Sequence, residues 1–235
     1  MAFKTFVLND NQVIKIYKRK KSRHLRLSIG GNGEVKVSIP YWAPYKAGID
    51  FARSKEAWIN SNFRKKTVLS QNQAIGKAHR LYFKADPLRA KPSSRISNNL
   101  VTVSHSPLAS FDDEDIQKVA SKASIRALRK QAESLLPQRL EVLANQFNFK
   151  YKNVSIKNLK SRWGSCDQEA NIVLNLYLMQ LPWELIDYVL LHELTHTQIL
   201  RHGPDFWQSM DRILPNTKSL KKQLRSYQPA INSSL

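Results

Sequence analysis

The chain has 235 residues, a formal net charge of +20, 42% hydrophobic and 24% charged residues, and a single cysteine. That length allows one large domain or two small ones, and the apolar content belongs to a soluble globular protein rather than a disordered chain. No stretch reaches the roughly 20 apolar residues of a membrane helix, the start MAFKTFVLND has neither the apolar core nor the cleavage site of a signal peptide, and Cys166 has no partner for an internal disulfide, so a cytoplasmic protein is expected.

The charge is concentrated early. Residues 1–90 hold 19 Lys and Arg against 5 Asp and Glu, whereas residues 91–150 hold 9 against 6 and residues 151–235 hold 10 against 7. The densest run is Lys18-Arg19-Lys20-Lys21-Ser22-Arg23. Such a surplus attracts polyanions, nucleic acid first, through phosphate contacts that release counterions. The same charge also suits a solvated surface that keeps the protein in solution.

Apolar and polar residues alternate through residues 1–40, as in His24-Leu25-Arg26-Leu27-Ser28-Ile29 and Val35-Lys36-Val37-Ser38-Ile39. Gly30-Gly31-Asn32-Gly33 between those two runs predicts a hairpin turn, and Pro40 ends the second strand. Residues 46–66 change to a helical period carried by Ile49, Phe51, Ala52, Trp58, Ile59 and Phe63. Two short strands are expected at Leu81-Tyr82-Phe83 and Leu100-Val101-Thr102-Val103, with Pro92-Ser93-Ser94-Arg95 as an exposed loop. From Asp112 to Phe149 the pattern is helical, its acidic start suiting the positive end of the helix dipole. Pro137 should kink or split that helix. Val154-Ser155-Ile156 and Ile172-Val173-Leu174-Asn175-Leu176 read as strands around a loop from Lys160 to Glu169. No internal repeat shows in the sequence. The expected fold is α+β, a basic strand-rich region over 1–110 followed by a helical domain with a small sheet over 111–235.

The chemistry concentrates in Pro182-Trp183-Glu184-Leu185-Ile186-Asp187-Tyr188-Val189-Leu190-Leu191-His192-Glu193-Leu194-Thr195-His196. Pro182 and Glu184 suit a helix start, and the middle is apolar almost all round, which marks a buried helix. Two histidines and a glutamate inside such a helix need partners, and a metal ion supplies them. His192 and His196 lie four residues apart, about 40° around the helix, so both imidazoles converge on one ion. Glu193, beside them, reaches an activated water, which completes the HExxH pattern.

A catalytic zinc needs a third protein ligand and an open position. No glutamate follows Glu193. The candidates are His202, directly before Gly203-Pro204, and the aspartates Asp205 and Asp211. A helix ending near Leu200 and turning at Gly203 would carry His202 back over the ion, while Asp205 suits a helix cap. His202 is therefore preferred. His24, His79 and His105 are distant in sequence and fit surface or structural roles.

These residues resemble the YgjP-like metallopeptidases, which group with the SprT and WLM proteases. The resemblance runs through Ser161-Arg162-Trp163-Gly164-Ser165-Cys166, Ile172-Val173-Leu174-Asn175, Asp187-Tyr188-Val189, His192-Glu193-Leu194-Thr195-His196, His202, Phe206-Trp207 and Pro215. It is dense over about residues 155–215 and looser before them. It implies a zincin-type catalytic domain with ligands His192, His196 and His202 and with Glu193 as general base. The spacing echoes the metzincins too, but Ile199 stands where their turn glycine would be and no methionine turn follows.

Zinc on three neutral imidazoles lowers the pKa of a coordinated water from ~15.7 to about 7. Glu193 would accept its proton and deliver it to the leaving amine. Arg162 is the candidate for stabilising the oxyanion, or else an anchor for its loop. Zincins pair an extended peptide with an edge strand, and Ile172 to Leu176 is the strand expected to do so here. Trp163, Trp207 and Phe206 suit packing, Cys166 a small buried residue, and Asn175 either a ligand-orienting or a strand-closing role. Three functions fit: a zinc peptidase acting on polypeptides, favoured, with nucleic acid as a second partner through the basic region; a phosphoanhydride hydrolase of nucleoside triphosphates at the same site; and a nucleic-acid-binding module with a structural zinc.

Overall fold

Alternating residues at the start of the chain build a four-stranded sheet of β1 (Phe3–Val7), β2 (Val13–Arg19), β3 (Arg26–Ile29) and β4 (Val35–Pro40) in the order β1-β2-β4-β3. The computed structural model describes residues 3–8, 12–30, 34–62 and 68–231. Ile14, Ile16, Val35, Val37 and Ile39 project from alternate positions into one buried face. β3 and β4 pair antiparallel with Ile29 opposite Val35. Their expected turn at Gly31-Asn32-Gly33 lies outside the described residues. β2 and β4 run parallel, with Arg19 opposite Pro40.

The helical period after Pro40 resolves into α1 (Tyr45–Ser54) and α2 (Glu56–Asn62), and Phe63 lies outside the described residues. Gly48 lets α1 close onto the sheet, because a Cβ there would sit 2.9 Å from Ile16 Cγ2 and 3.1 Å from Ile39 Cγ2. These elements form one compact unit, Met1–Thr67, and Val68–Leu235 form another.

The second unit opens with β5 (Gln73–Ile75), β6 (His79–Ala85), β7 (Ser93–Ser97) and β8 (Leu100–His105), ordered β5-β6-β8-β7. Its central pair is parallel and its outer strands antiparallel, so it repeats the first sheet's order and directions. The segment expected as a loop at Pro92–Arg95 instead enters β7. Its polar residues carry no apolar alternation, and the ladder to β8 defines the strand. The strands of residues 73–105, grouped by composition with the N-terminal region, belong to this second unit.

α3 (Glu114–Gln146) spans 33 residues, and Pro137 lies inside it without dividing it. Ala120, Ala123, Ala127, Leu128, Ala132, Leu136 and Leu140 make its buried stripe. A third sheet combines β9 (Asn153–Lys157), β10 (Gly164–Cys166) and β11 (Asn171–Asn175) in the order β10-β11-β9. A 3-10 turn (Leu176–Gln180) leads to α4 (Trp183–His196), α5 (Pro204–Ile213) and α6 (Thr217–Leu224). The described residues thus hold six helices and three mixed sheets, an α+β fold.

Gln131 ties α3 to the turn between β5 and β6. Its Oε1 accepts from the amides of Lys77 (2.6 Å) and Ala78 (3.1 Å), while Nε2 donates to the Ile75 carbonyl (2.8 Å) and meets His79 Nδ1 at 2.8 Å. Gly76 adopts φ +67° beneath it, with room for no Cβ, since that atom would lie 2.6 Å from Gln131 Oε1. Gln131→Leu leaves the buried Ile75 carbonyl and His79 ring, together with two part-buried turn amides, without this partner and should cost about 3 kcal/mol. Calorimetry should record a fall of about 6–12 °C in melting temperature; an unchanged value would remove this tie from the stabilising set.

Candidate metal centre

α4 is the helix on which the site is mounted. Leu185, Ile186, Val189, Leu190, Leu191 and Leu194 are all buried, and the helix packs against α3, β10, α5 and α6. Near its start, Arg139 of α3 grips Asp187 through two hydrogen bonds, Nε to Oδ1 at 2.8 Å and Nη2 to Oδ2 at 2.6 Å. This fork-on-fork pair fixes rotation as well as position. The helix ends at His196, four residues before the expected end near Leu200, and the chain returns through His202 before α5.

That return brings three imidazoles together. His202 Nε2 lies 2.9 Å from His192 Nε2 and 3.1 Å from His196 Nε2. The Ile199 carbonyl, 3.1 Å from His196 Nδ1, assigns the proton to Nδ1 and leaves the Nε2 lone pair facing the cluster. Burial, with the adjoining His196, His202 and Lys221, pushes His192 down to about 3, and burial also lowers His196. His192 and His196 are therefore held neutral, and the Nε2 atoms of all three rings converge on one point. Such an array suits an electrophile. A tetrahedral zinc at ~2.0–2.1 Å from each nitrogen would set them about 3.3 Å apart, within half an ångström of these distances. Among the described residues, the three histidines are the group able to hold a metal ion. His192 Nδ1 is buried without a partner.

Aromatic rings support the cluster. Phe206, fully buried on α5, lies 4.9, 4.6 and 4.8 Å from the rings of His192, His196 and His202. Trp207 stacks on His202 at 5.7 Å, and Lys221 Nζ sits 3.8 Å above the Trp207 ring. Both tryptophans singled out in the sequence, Trp163 and Trp207, are half-buried against the core.

Glu193 is 5% exposed, and burial raises its carboxyl to about 8 against the opposing pull of Arg162. β10 lies flush against it: a Cβ on Gly164 would stand 2.7 Å from Glu193 Oε1 and 2.8 Å from its Cγ. Arg162 has an exposed side chain on the loop before β10. Buried Asn175 pins that loop, donating to the carbonyls of Leu159 (2.8 Å) and Arg162 (2.7 Å) and accepting from the Tyr177 amide (3.2 Å). Cys166, half-buried in β10, has its thiol pushed up to about 11 by burial and then by Glu193, so it stays protonated and outside the histidine group.

Asp205 is exposed in the first turn of α5, and Asp211 accepts from the Thr217 hydroxyl. Neither joins the histidines. His24 is exposed, while His79 and His105 are buried elsewhere, bonded to Gln131 and the Ser106 carbonyl. The strand expected to receive a peptide, β11, is the central strand of its sheet and has both edges filled. The outer strand beside α4 is β10. Since the Trp163 carbonyl accepts from the Asn175 amide (2.9 Å), alternation turns the backbone groups of Gly164 and Cys166 away from β11. Gly164 and Lys221 were not singled out from the sequence. The Trp-Gly-Ser stretch marked the first, whereas nothing near Lys221 signals its place above Trp207.

The YgjP-like metallopeptidase domain model matches residues 23–227. The chain belongs to this family. Membership makes it a metallopeptidase, a class of hydrolase that implies a divalent metal. A search of curated proteins found no match. Among solved structures, the metallopeptidase zymogen of Pyrococcus abyssi abylysin is similar at 21% identity over 39% of this chain and 93% of that one, with TM-score 0.36. The zymogen of Methanocaldococcus jannaschii jannalysin is similar at 22% identity over 38% and 93%, with TM-score 0.35. No described helix is long and apolar enough to cross a membrane.

The contact of Gly164 with Glu193 makes a direct prediction. Gly164→Ala should displace the carboxylate or the strand, lowering the melting temperature by several degrees and slowing hydrolysis of unfolded protein about tenfold or more. Wild-type behaviour in both measurements would show that the backbone there yields freely.

Proposed function

We propose that this YgjP-like metallopeptidase is a zinc-dependent peptidase in which His192, His196 and His202 hold the ion and Glu193 is the general base. The observation that carries the reading is the convergence of three imidazole nitrogens, two of them on the helix that also carries the buried Glu193. A zinc ion held by His192, His196 and His202 would supply Lewis-acid chemistry and make a water acidic enough to be deprotonated near neutrality. The Glu193 carboxylate takes the proton of the attacking water and hands it to the leaving amine. Its burial raises its proton affinity and suits it to carry that proton between the two transfers.

The chain also positions the substrate. The outward backbone groups of Gly164 and Cys166 offer an extended peptide a ladder to join. Because Gly164 abuts Glu193, a peptide paired there runs past the carboxylate. Arg162, whose charge reaches Glu193, adds a positive charge that favours the developing oxyanion, and Asn175 fixes the backbone from which it projects.

Metal analysis should find about one zinc per chain. His192→Ala and His196→Ala should abolish it, and His202→Ala should weaken it strongly, while Asp205→Ala leaves it in place. Retention in the His202 variant with loss in the Asp205 variant would overturn the ligand set.

Glu193→Gln separates catalyst from scaffold. It is nearly isosteric, so zinc content and fold should persist while hydrolysis of unfolded protein falls by ~10²–10⁴. Equal turnover would remove Glu193 from the mechanism.

A further inference from the structure

The first compact unit carries 15 Lys and Arg against 4 Asp and Glu within residues 1–67. Strand pairing gathers much of that charge at one end of its sheet. β2 and β4 run parallel and finish together, with Arg19 opposite Pro40. The chain therefore leaves β2 through Lys18, Arg19, Lys20 and Lys21 beside the point where it leaves β4 through Tyr41 and Trp42. β3 runs the other way and begins at the same end, with Arg26 opposite Ser38, so Arg23 and Arg26 join the group. Residues 18–26 and 38–46 contain seven Lys and Arg and no acid. Glu34, at the opposite end of β4, is bound to Lys15 and Lys36 at 2.6 and 2.7 Å.

Two aromatic rings stand in this cationic end. Trp42 is 78% exposed and Tyr41 60% exposed, an unusual state for side chains of such apolar area. Lys18 Nζ donates to the Tyr41 carbonyl at 3.0 Å and lies 5.6 Å from the Tyr41 ring and 5.2 Å from that of Tyr45. Lys4 Nζ lies 5.0 Å from the Tyr45 ring. Within residues 18–26 and 38–46, the exposed large apolar side chains are these two flat rings; Leu25 is half-buried and Ile39 is buried.

We infer that this end of the β1–β4 sheet binds single-stranded nucleic acid, with bases stacked on Trp42 and Tyr41 and phosphates held by Arg19, Lys20, Lys21 and Arg23. Every base has a π-face, so stacking accepts any sequence, and cations flanking the rings track the backbone. A duplex keeps its base faces covered and would meet the charges alone. An anionic membrane would also meet the charges, but flat rings without exposed aliphatic neighbours suit stacking better than insertion among acyl chains. The inference is independent of the metal site, because none of these residues contributes to it.

The test is fluorescence anisotropy of a labelled oligo(dT) of about 20 nucleotides with the full chain at a series of salt concentrations. Wild-type protein should bind at low salt and prefer the single strand to a duplex of the same length. Trp42→Ala should weaken binding about ten- to hundredfold, and Trp42→Phe should restore most of it. Replacing Arg19, Lys20 and Lys21 with Gln should make the slope of log affinity against log salt shallower by about 2. Far-UV circular dichroism and zinc content should match wild type in each variant. No binding at low salt, equal binding by Trp42→Ala, or retention on phosphatidylserine vesicles without binding to the oligonucleotide would each overturn the inference.

Discussion

Everything at the candidate metal centre depends on the burial of one helix. α4 is apolar on nearly every side and is enclosed by neighbours, yet it carries His192, Glu193 and His196. Enclosure removes water as a partner for those groups and holds the imidazoles neutral, which is the state in which nitrogen donates a lone pair. A more exposed helix with the same residues would let the rings protonate and turn outward. The polar content of α4 and its hydrophobicity are therefore two halves of one device.

The surrounding elements fix this helix by contacts of different kinds. Arg139 and Asp187 hold its first turns to α3 with directional hydrogen bonds. Phe206 supports all three imidazoles with dispersion and edge contacts, so α5 sets ring orientation without competing for the nitrogens. On the far side, missing atoms matter as much as present ones. Gly164 brings bare backbone against the Glu193 carboxylate, and Asn175 keeps the preceding loop in register with it. Together these contacts leave the three imidazoles and the Glu193 side chain little freedom to shift.

The centre was legible in the sequence because its spacing is local. Two histidines one turn apart, and a third just past a helix end, need only helix geometry and one turn to meet. The outer strand was not legible. β10 is three residues of Gly-Ser-Cys, too short for alternation to register, so β11 with its apolar run looked like the strand on offer. Hydrophobicity marked the central strand of that sheet, and the edge is polar for the reason edges usually are. β7 escaped notice on the same ground. The common order of the β1–β4 and β5–β8 sheets is likewise invisible to sequence inspection, since order arises from pairings some 20 residues apart rather than from any shared run of residues.

Among the described residues, two open sheets of this order leave four outer strands, β1, β3, β5 and β7, each with one unpaired side. Open edges can recruit the edges of other molecules, including further copies of the same chain. Lys4 in β1, Arg26 in β3 and Arg95 in β7 put a cation on three of these strands, and β5 is only three residues long. An edge approaching its own copy thus meets like charge or too little ladder to hold. Cations on these outer strands work against edge-to-edge pairing between copies, as charged residues on edge strands generally do.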